Sequence, residues 1–270
     1  MSLLNLHICL SEVVPGSGKS VFIKSLLTSI LKGIKCEVYL IDTKVVELAS
    51  FRNHLKVKAY VYDNVDITNL IAELLQECHH RYQLMFESGV TNILDYNKLH
   101  PNKKLPVQFI IFEEFISYDN KQGQKLLRQL ISLSRASGQF LILTAQRPDN
   151  TVIDNVLKSN LSNRISFRTT TEANSKIILD TLGAELINVK GRFLYINDEY
   201  SLIEAQGYNI SDKQIKELLN PRQANKTNQD NPPVKLINIK TKHTLEKTAI
   251  NTLSHTPTGS HTPLEDLQSL

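Results

Sequence analysis

Short unbroken apolar runs alternate with amphipathic stretches along most of this chain. Residues 107–112 (Val-Gln-Phe-Ile-Ile-Phe) and 140–145 (Phe-Leu-Ile-Leu-Thr-Ala) read as strands buried on both faces. Residues 37–42 form a similar run that ends in a carboxylate, and residues 6–10 a shorter one. Between them the period lengthens to that of a helix. Residues 67–88 place Leu70, Leu74, Leu75, Cys78 and Tyr82 on one side. Helices are also predicted over 17–32, opening at a glycine turn, over 123–137 and 153–161, and as a short final piece within 209–219. A polar, Lys-rich loop fills 97–106, and further strands are expected at 164–169 and 192–196. Strands that alternate with helices predict an α/β fold: a mostly parallel sheet with helices on both faces.

The pattern stops at Pro221. All nine phenylalanines and nine tyrosines lie between Phe22 and Tyr208, whereas five of the nine prolines fall at or after Pro221. The 270 residues therefore divide into a folding part, 1–220, and a polar tail, 221–270, expected to be disordered. No apolar stretch approaches the roughly 18–20 residues that span a bilayer. Residues 1–10 are apolar but lack a basic leader and a small-residue cleavage site, so they are not read as a signal peptide. The three cysteines, Cys9, Cys36 and Cys78, are too far apart for a zinc site and odd in number, which points to buried thiols. The eight histidines show no ligand spacing, and His79 and His80 are placed on a helix face. The net charge of +4 selects no class of partner by itself.

Candidate chemistry begins at Pro15-Gly16-Ser17-Gly18-Lys19-Ser20, between a predicted strand and a predicted helix, the context a phosphate-binding P-loop requires. Glycines let backbone N–H groups turn toward phosphate oxygens, and the helix N-terminus adds its dipole. Lys19 would reach the β- and γ-phosphates of ATP, and the Ser20 hydroxyl would coordinate Mg²⁺. The full pattern has Gly at the position of Val13, and a β-branched residue resists positive φ there.

Glu113 and Glu114 close the 107–112 run, the Walker B arrangement of apolar residues followed by acids. The first acid would hold the Mg²⁺ shell, usually through water, and the second would polarise the attacking water. Thr144-Ala145-Gln146-Arg147-Pro148 ends another strand. NTPases with a catalytic glutamate carry an extra strand between the P-loop and Walker B strands, with a polar residue at its end that senses the γ-phosphate. Gln146 fits that role.

Several blocks then resemble the motor domain of the FtsK/SpoIIIE family of DNA-translocating ATPases over about residues 7–207. They include Ile41-Asp42-Thr43-Lys44-Val45-Val46-Glu47-Leu48, Arg81-Tyr82-Gln83-Leu84-Met85, Asn92-Ile93-Leu94-Asp95-Tyr96-Asn97 and Asn163-Arg164-Ile165-Ser166-Phe167-Arg168. Ile178-Leu179-Asp180, Gly183-Ala184-Glu185 and Gly191 through Leu194-Tyr195 complete the set. The resemblance implies a RecA-like P-loop NTPase assembled as a homo-oligomeric ring, usually a hexamer, around double-stranded DNA. It implies ATP between subunits, sequence-independent phosphate contacts and no small-molecule substrate other than ATP. It implies a bacterial cytoplasmic protein and leaves room for a membrane-anchored partner. Arg164 aligns with the arginine offered to the neighbouring subunit's ATP. Arg168, four residues along a presumed strand, is expected on the same face.

The chain departs from the family at Val13, at Glu113 where Asp is usual, and at Lys176 where Arg is usual. Thr43 and Val45 stand where Pro and Gly are common. Nothing after Pro221 resembles a winged-helix DNA-reading module, so a bare, trimmed motor is expected. Lys56/Lys58, Lys98/Lys103/Lys104 and Arg128/Arg135 are the basic clusters available for DNA. The alternative is a degenerate homologue that binds ATP or DNA and joins a ring without efficient hydrolysis.

Overall fold

A computed structural model of the chain describes residues 7–11, 14–146, 153–161, 163–197, 199 and 201–219. Eight strands occupy Ile8–Ser11 (β1), Cys36–Asp42 (β2), Val57–Val61 (β3), Val107–Glu113 (β4), Gln139–Ala145 (β5), Asn163–Ser166 (β6), Arg192–Ile196 (β7) and Leu202–Gln206 (β8). Seven α-helices occupy Lys19–Gly33 (α1), Asn64–Glu87 (α2), Ile93–Leu99 (α3), Lys121–Leu133 (α4), Asn155–Asn160 (α5), Glu172–Leu179 (α6) and Asp212–Leu218 (α7).

All eight strands join one sheet in the order β3-β2-β4-β5-β1-β6-β7-β8. The pairs from β3 through β6 are parallel, and β7 and β8 extend the sheet antiparallel at one edge. β5 lies between β1 and β4, as expected for an NTPase with a catalytic glutamate. Alternate side chains of the central strands feed two cores. Leu10, Leu40, Ile111 and Ile142 pack with Ile23 and Leu27 of α1 and Ile215 of α7. Cys9, Ile41, Ile110 and Leu141 pack with Ile71 and Leu74 of α2, Leu130 of α4 and Ile178 of α6. A strand sandwiched this way must be apolar on both faces, which is why β4 and β5 read as unbroken runs.

Of the seven α-helices among the described residues, six start at a side-chain cap. Asp63, Asn92, Asn120, Asp154, Thr171 and Ser211 each accept a backbone N–H of the first turn. α1 differs: it starts at Gly18, with no side-chain cap.

The α/β class, the parallel core and the helices on both faces are as expected. β3, β8, α3 and α6 are additional to the predicted elements, and Arg164 and Arg168 do not share a strand because β6 ends at Ser166. The three thiols are buried and free. No helix among the described residues is long and apolar enough to cross a membrane. Val13, Arg147, Pro148 and the 221–270 segment lie outside the described residues.

Candidate functional site

The site is built on the C-terminal ends of the parallel strands, where Asp42 pairs with Glu113 and Ser11 with Ala145. The segment after β1 turns at Gly16 (φ 81°) and Gly18 (φ 121°), backbone states that side chains other than hydrogen disfavour. Ser17 donates its N–H to the Val14 carbonyl at 3.2 Å, and Val14 donates to the Arg168 carbonyl at 3.3 Å. The loop delivers the uncapped N-terminus of α1, a positive dipole end suited to anionic oxygens.

Lys19 is fully buried, and its Nζ lies 2.8 Å from Glu113 Oε1, itself fully buried. The other Glu113 oxygen accepts the Thr144 hydroxyl at 2.6 Å. That hydroxyl also accepts the Glu114 N–H at 2.9 Å. The chain breaks sharply at Glu114, a left-handed residue at φ 58° and ψ 48°. Its side chain is turned toward β5, where Oε1 accepts the Gln146 N–H at 3.2 Å. Glu114 Oε2 is buried and accepts no hydrogen bond. Lys19, Glu113, Glu114 and Gln146 are thus brought together, as their motifs imply.

Two more side chains enter from residues 43–48. Lys44 donates to Gln146 Oε1 at 2.8 Å and lies 3.7 Å from Glu114 Oε2. Ser20 donates its hydroxyl hydrogen to Glu47 Oε1 at 2.9 Å. Asp42 pins this segment, since its Oδ2 accepts the Leu48 N–H at 3.0 Å and the Tyr60 hydroxyl at 3.1 Å. Burial, and then the charge of Asp42, pushes the Tyr60 hydroxyl pKa upward. Sequence motifs alone overlooked Lys44 and Glu47 as site residues. The available signal was two charges in the block that follows the β2 carboxylate.

Arg164 stands apart from this group. It is 5% exposed and pairs through Nη2 with Asp180 at 2.9 Å, while its Nε has no partner. Arg168 is exposed. Of the basic clusters, Lys56 donates to the Leu31 and Ile34 carbonyls at the end of α1, both at 2.6 Å, and Lys98 pairs with Asp95 at 2.7 Å. Arg128 pairs with Asp154 at 2.8 Å.

The residues fit ATP and Mg²⁺. The uncapped helix start and the two left-handed glycines suit phosphate oxygens. Ser20, Glu47 and Glu113 supply hard oxygen donors, the chemistry Mg²⁺ prefers. Among the described residues no three His, Cys, Asp or Glu side chains gather as a metal cage.

The chain is 31% identical over 223 residues to DNA translocase FtsK of Staphylococcus aureus, covering 76% of this chain and 28% of that protein. It is 33% identical over 219 residues to DNA translocase FtsK of Treponema pallidum, again over 76% of this chain and 27% of that one. It therefore spans less than a third of the length of these relatives. Among solved structures, the pCW3 conjugation coupling protein TcpA, with ATPγS, superposes with a TM-score of 0.72 at 28% identity over 82% of this chain and 66% of that one. ATPases 2 and 3 of EssC from Geobacillus thermodenitrificans give 0.71 at 20% identity, over 82% of this chain and 45% of that chain, a likeness of fold. The profile of the FtsK/SpoIIIE family matches residues 14–204, and with the P-loop, the paired glutamates and the intervening strand in place, the chain belongs to the FtsK/SpoIIIE family.

Proposed function

We propose that this chain is the ATP-hydrolysing motor of a double-stranded DNA translocase, working as a homo-oligomeric ring that grips DNA phosphates without reading sequence. One observation carries the proposal. Lys19, Glu113, Glu114 and Gln146 converge beside α1, the one described α-helix that no side chain caps. The α1 N-terminus and Lys19 hold the β- and γ-phosphates and offset their charge. Glu114, with its unfilled Oε2, orients and deprotonates the attacking water. Gln146 reports on the γ-phosphate, steadied by Lys44. A bound Mg²⁺ would supply further charge stabilisation at the phosphates, held by Ser20 and an acid. Arg164 is the arginine proposed for the neighbouring subunit's ATP. To reach it, the guanidinium exchanges Asp180 for phosphate, whereas Arg168 is already exposed.

The likeness to FtsK supports chromosome segregation as the setting, and the likeness to TcpA supports conjugative or plasmid transfer. We place the motor in the bacterial cytoplasm, where a membrane-anchored partner can recruit it.

The test is ATP hydrolysis with and without long duplex DNA, for the parent and Lys19→Ala. DNA-stimulated turnover that Lys19→Ala abolishes supports the proposal, and a parent no faster than the variant overturns it. A second reading, a ring member that binds nucleotide without efficient hydrolysis, is favoured by the buried Lys19–Glu113 pair. Under it, the Val13→Gly, Glu113→Asp double variant turns over ATP much faster than the parent. An already fast parent excludes it.

A further inference from the structure

The strand register sets Asp42 beside Glu113. Alternation puts both on the face where Val38, Leu40, Phe109 and Ile111 meet Ile23 and Leu27, so the two carboxylates look toward the start of α1. Lys19 Nζ, 2.8 Å from Glu113 Oε1, marks the same place. Both acids are fully buried. Asp42 uses one oxygen only: Oδ2 accepts the Leu48 N–H and the Tyr60 hydroxyl, whereas Oδ1 accepts no hydrogen bond. A buried acceptor without a donor is costly, and a native fold that keeps one has a reason to. The proposed function takes Lys19 to the β- and γ-phosphates. That move strips Glu113 of its counter-charge and leaves two adjacent buried carboxylates with no cation between them, an arrangement that calls for one. Ser20, at the first turn of α1, gives its hydroxyl hydrogen to Glu47 Oε1 at 2.9 Å, which leaves its lone pairs for a cation.

We propose that Asp42, through Oδ1, is a second carboxylate of the Mg²⁺ shell in this chain, accepting a hydrogen bond from a metal-bound water beside Ser20 and Glu113. The inference rests on the nucleotide-binding function proposed above. Glu113 keeps the place its motif implies, since its Oε1 is open to the same shell once Lys19 has left it. Mg²⁺ retains several of its waters, so an acid that acts through water suits its chemistry. The other oxygen of Asp42 holds the Leu48 N–H, so one side chain joins the metal to residues 43–48, the segment that carries Lys44 and Glu47. Asp42 is thus a positioning residue for both.

Mn²⁺ with ADP serves as the probe on the full chain. Calorimetry gives the ADP affinity in Mn²⁺ and in EDTA, and the ratio of the two is the metal's contribution. Asp42→Asn keeps an oxygen for Leu48 and Tyr60 but puts an amide donor in place of Oδ1. It is expected to shrink the ratio about tenfold, with ADP affinity in EDTA no more than about twofold below the parent's. An unchanged or larger ratio overturns the inference, and so does a parent that binds ADP no better in Mn²⁺ than in EDTA. Tyr60→Phe removes a bond to Oδ2 alone, and its ratio is expected to stay within about twofold of the parent's. A loss there equal to that of Asp42→Asn traces the effect to the pinned segment and overturns the inference. Should Asp42→Asn fail to fold, Asp42→Glu reads the same ratio: a loss of about threefold or more is expected, and no loss overturns the inference. A parent that binds no ADP overturns the nucleotide-binding function and this inference with it. A parent that binds ADP more tightly with Mn²⁺, beside an unaffected Asp42→Asn, overturns this inference alone.

Discussion

The Gly191 N–H donates to the Ser17 carbonyl at 2.7 Å, so the phosphate loop is stitched to the turn that opens the β7–β8 hairpin. The Gly191 carbonyl in turn accepts the Gly207 N–H at 2.8 Å. The contact is so close that a Cβ on Gly18 would lie 2.7 Å from Gly191 Cα and 2.9 Å from its nitrogen. Gly16, by contrast, faces open space. Gly18→Ala is therefore expected to cost about 3 kcal/mol and to weaken nucleotide binding, through backbone clash added to left-handed strain. Gly16→Ala pays the strain alone, about 1 kcal/mol. Urea denaturation of the two variants checks the difference.

Val45 is left-handed at φ 58° and exposed, in a turn closed by its N–H to the Asp42 carbonyl at 3.0 Å. A β-branched residue is strained in that region, which glycine enters freely. Val45→Gly is expected to raise stability by about 1 kcal/mol, the relief of strain outweighing the added freedom of the unfolded chain. Chemical denaturation measures it, and a destabilised variant would contradict the account.

Lys44 donates to Gln146 and neighbours Glu114, and its described polar contacts include none with the phosphate loop or α1. Under the proposed function, Lys44→Met is expected to lower kcat about tenfold by loosening Glu114 and Gln146, the two side chains proposed to surround the attacking water. Nucleotide affinity should stay within about twofold, since the phosphate cradle is untouched. Steady-state turnover set beside equilibrium binding of ADP separates the two effects.

His7 is buried with its Nδ1 accepting the Leu141 N–H at 3.1 Å, which leaves the hydrogen on Nε2, 3.2 Å from the Ser134 hydroxyl. Burial, and then the positive charge of Arg135, lowers its pKa from 6.5 to about 3. The unfolded chain thus binds the proton more readily than the folded one. The neutral histidine's contribution is fully present above pH 6.5 and is lost as pH falls toward 3. His7→Asn keeps an acceptor but does not titrate, so between pH 6.5 and 4 the parent should lose stability faster, by up to about 1.4 kcal/mol per pH unit. Parallel slopes in urea denaturation across that range would refute this.

Much of the molecule was legible because burial writes itself into sequence. β4 and β5 are apolar on both faces, and the glutamates stand at the C-terminal end of β4. β3 and β8 were not legible for the opposite reason: Lys58 interrupts β3, and β8 is mostly exposed. Lys19, Glu113, Glu114 and Gln146 sit at strand ends or a helix start, where local pattern predicts position. Lys44 and Glu47 sit on an irregular turn, placed by Asp42 reaching forward to the Leu48 N–H, a contact no periodicity announces. Other family blocks turn out to be scaffold. The buried Arg81 guanidinium donates to the Pro106 and Ser137 carbonyls at 2.9 and 3.0 Å, and Tyr82 donates to Leu133 at 2.8 Å. Asn92 caps α3, while Asn97 exchanges two hydrogen bonds with the Leu105 backbone.

The place of β1 in the sheet bears on how the chain comes off the ribosome. The strand is four residues long, and both of its neighbours, β5 and β6, are made more than 120 residues after it. Local pairing cannot hold it, and closing so long a loop costs entropy before any contact repays it. The β2–β3 and β2–β4 pairs span shorter separations and can form while β1 still waits. The loop that follows β1, though it precedes the other seven described strands, is therefore among the last parts of the sheet to take shape, since its strand stays unpaired on one side until residue 166 has been made.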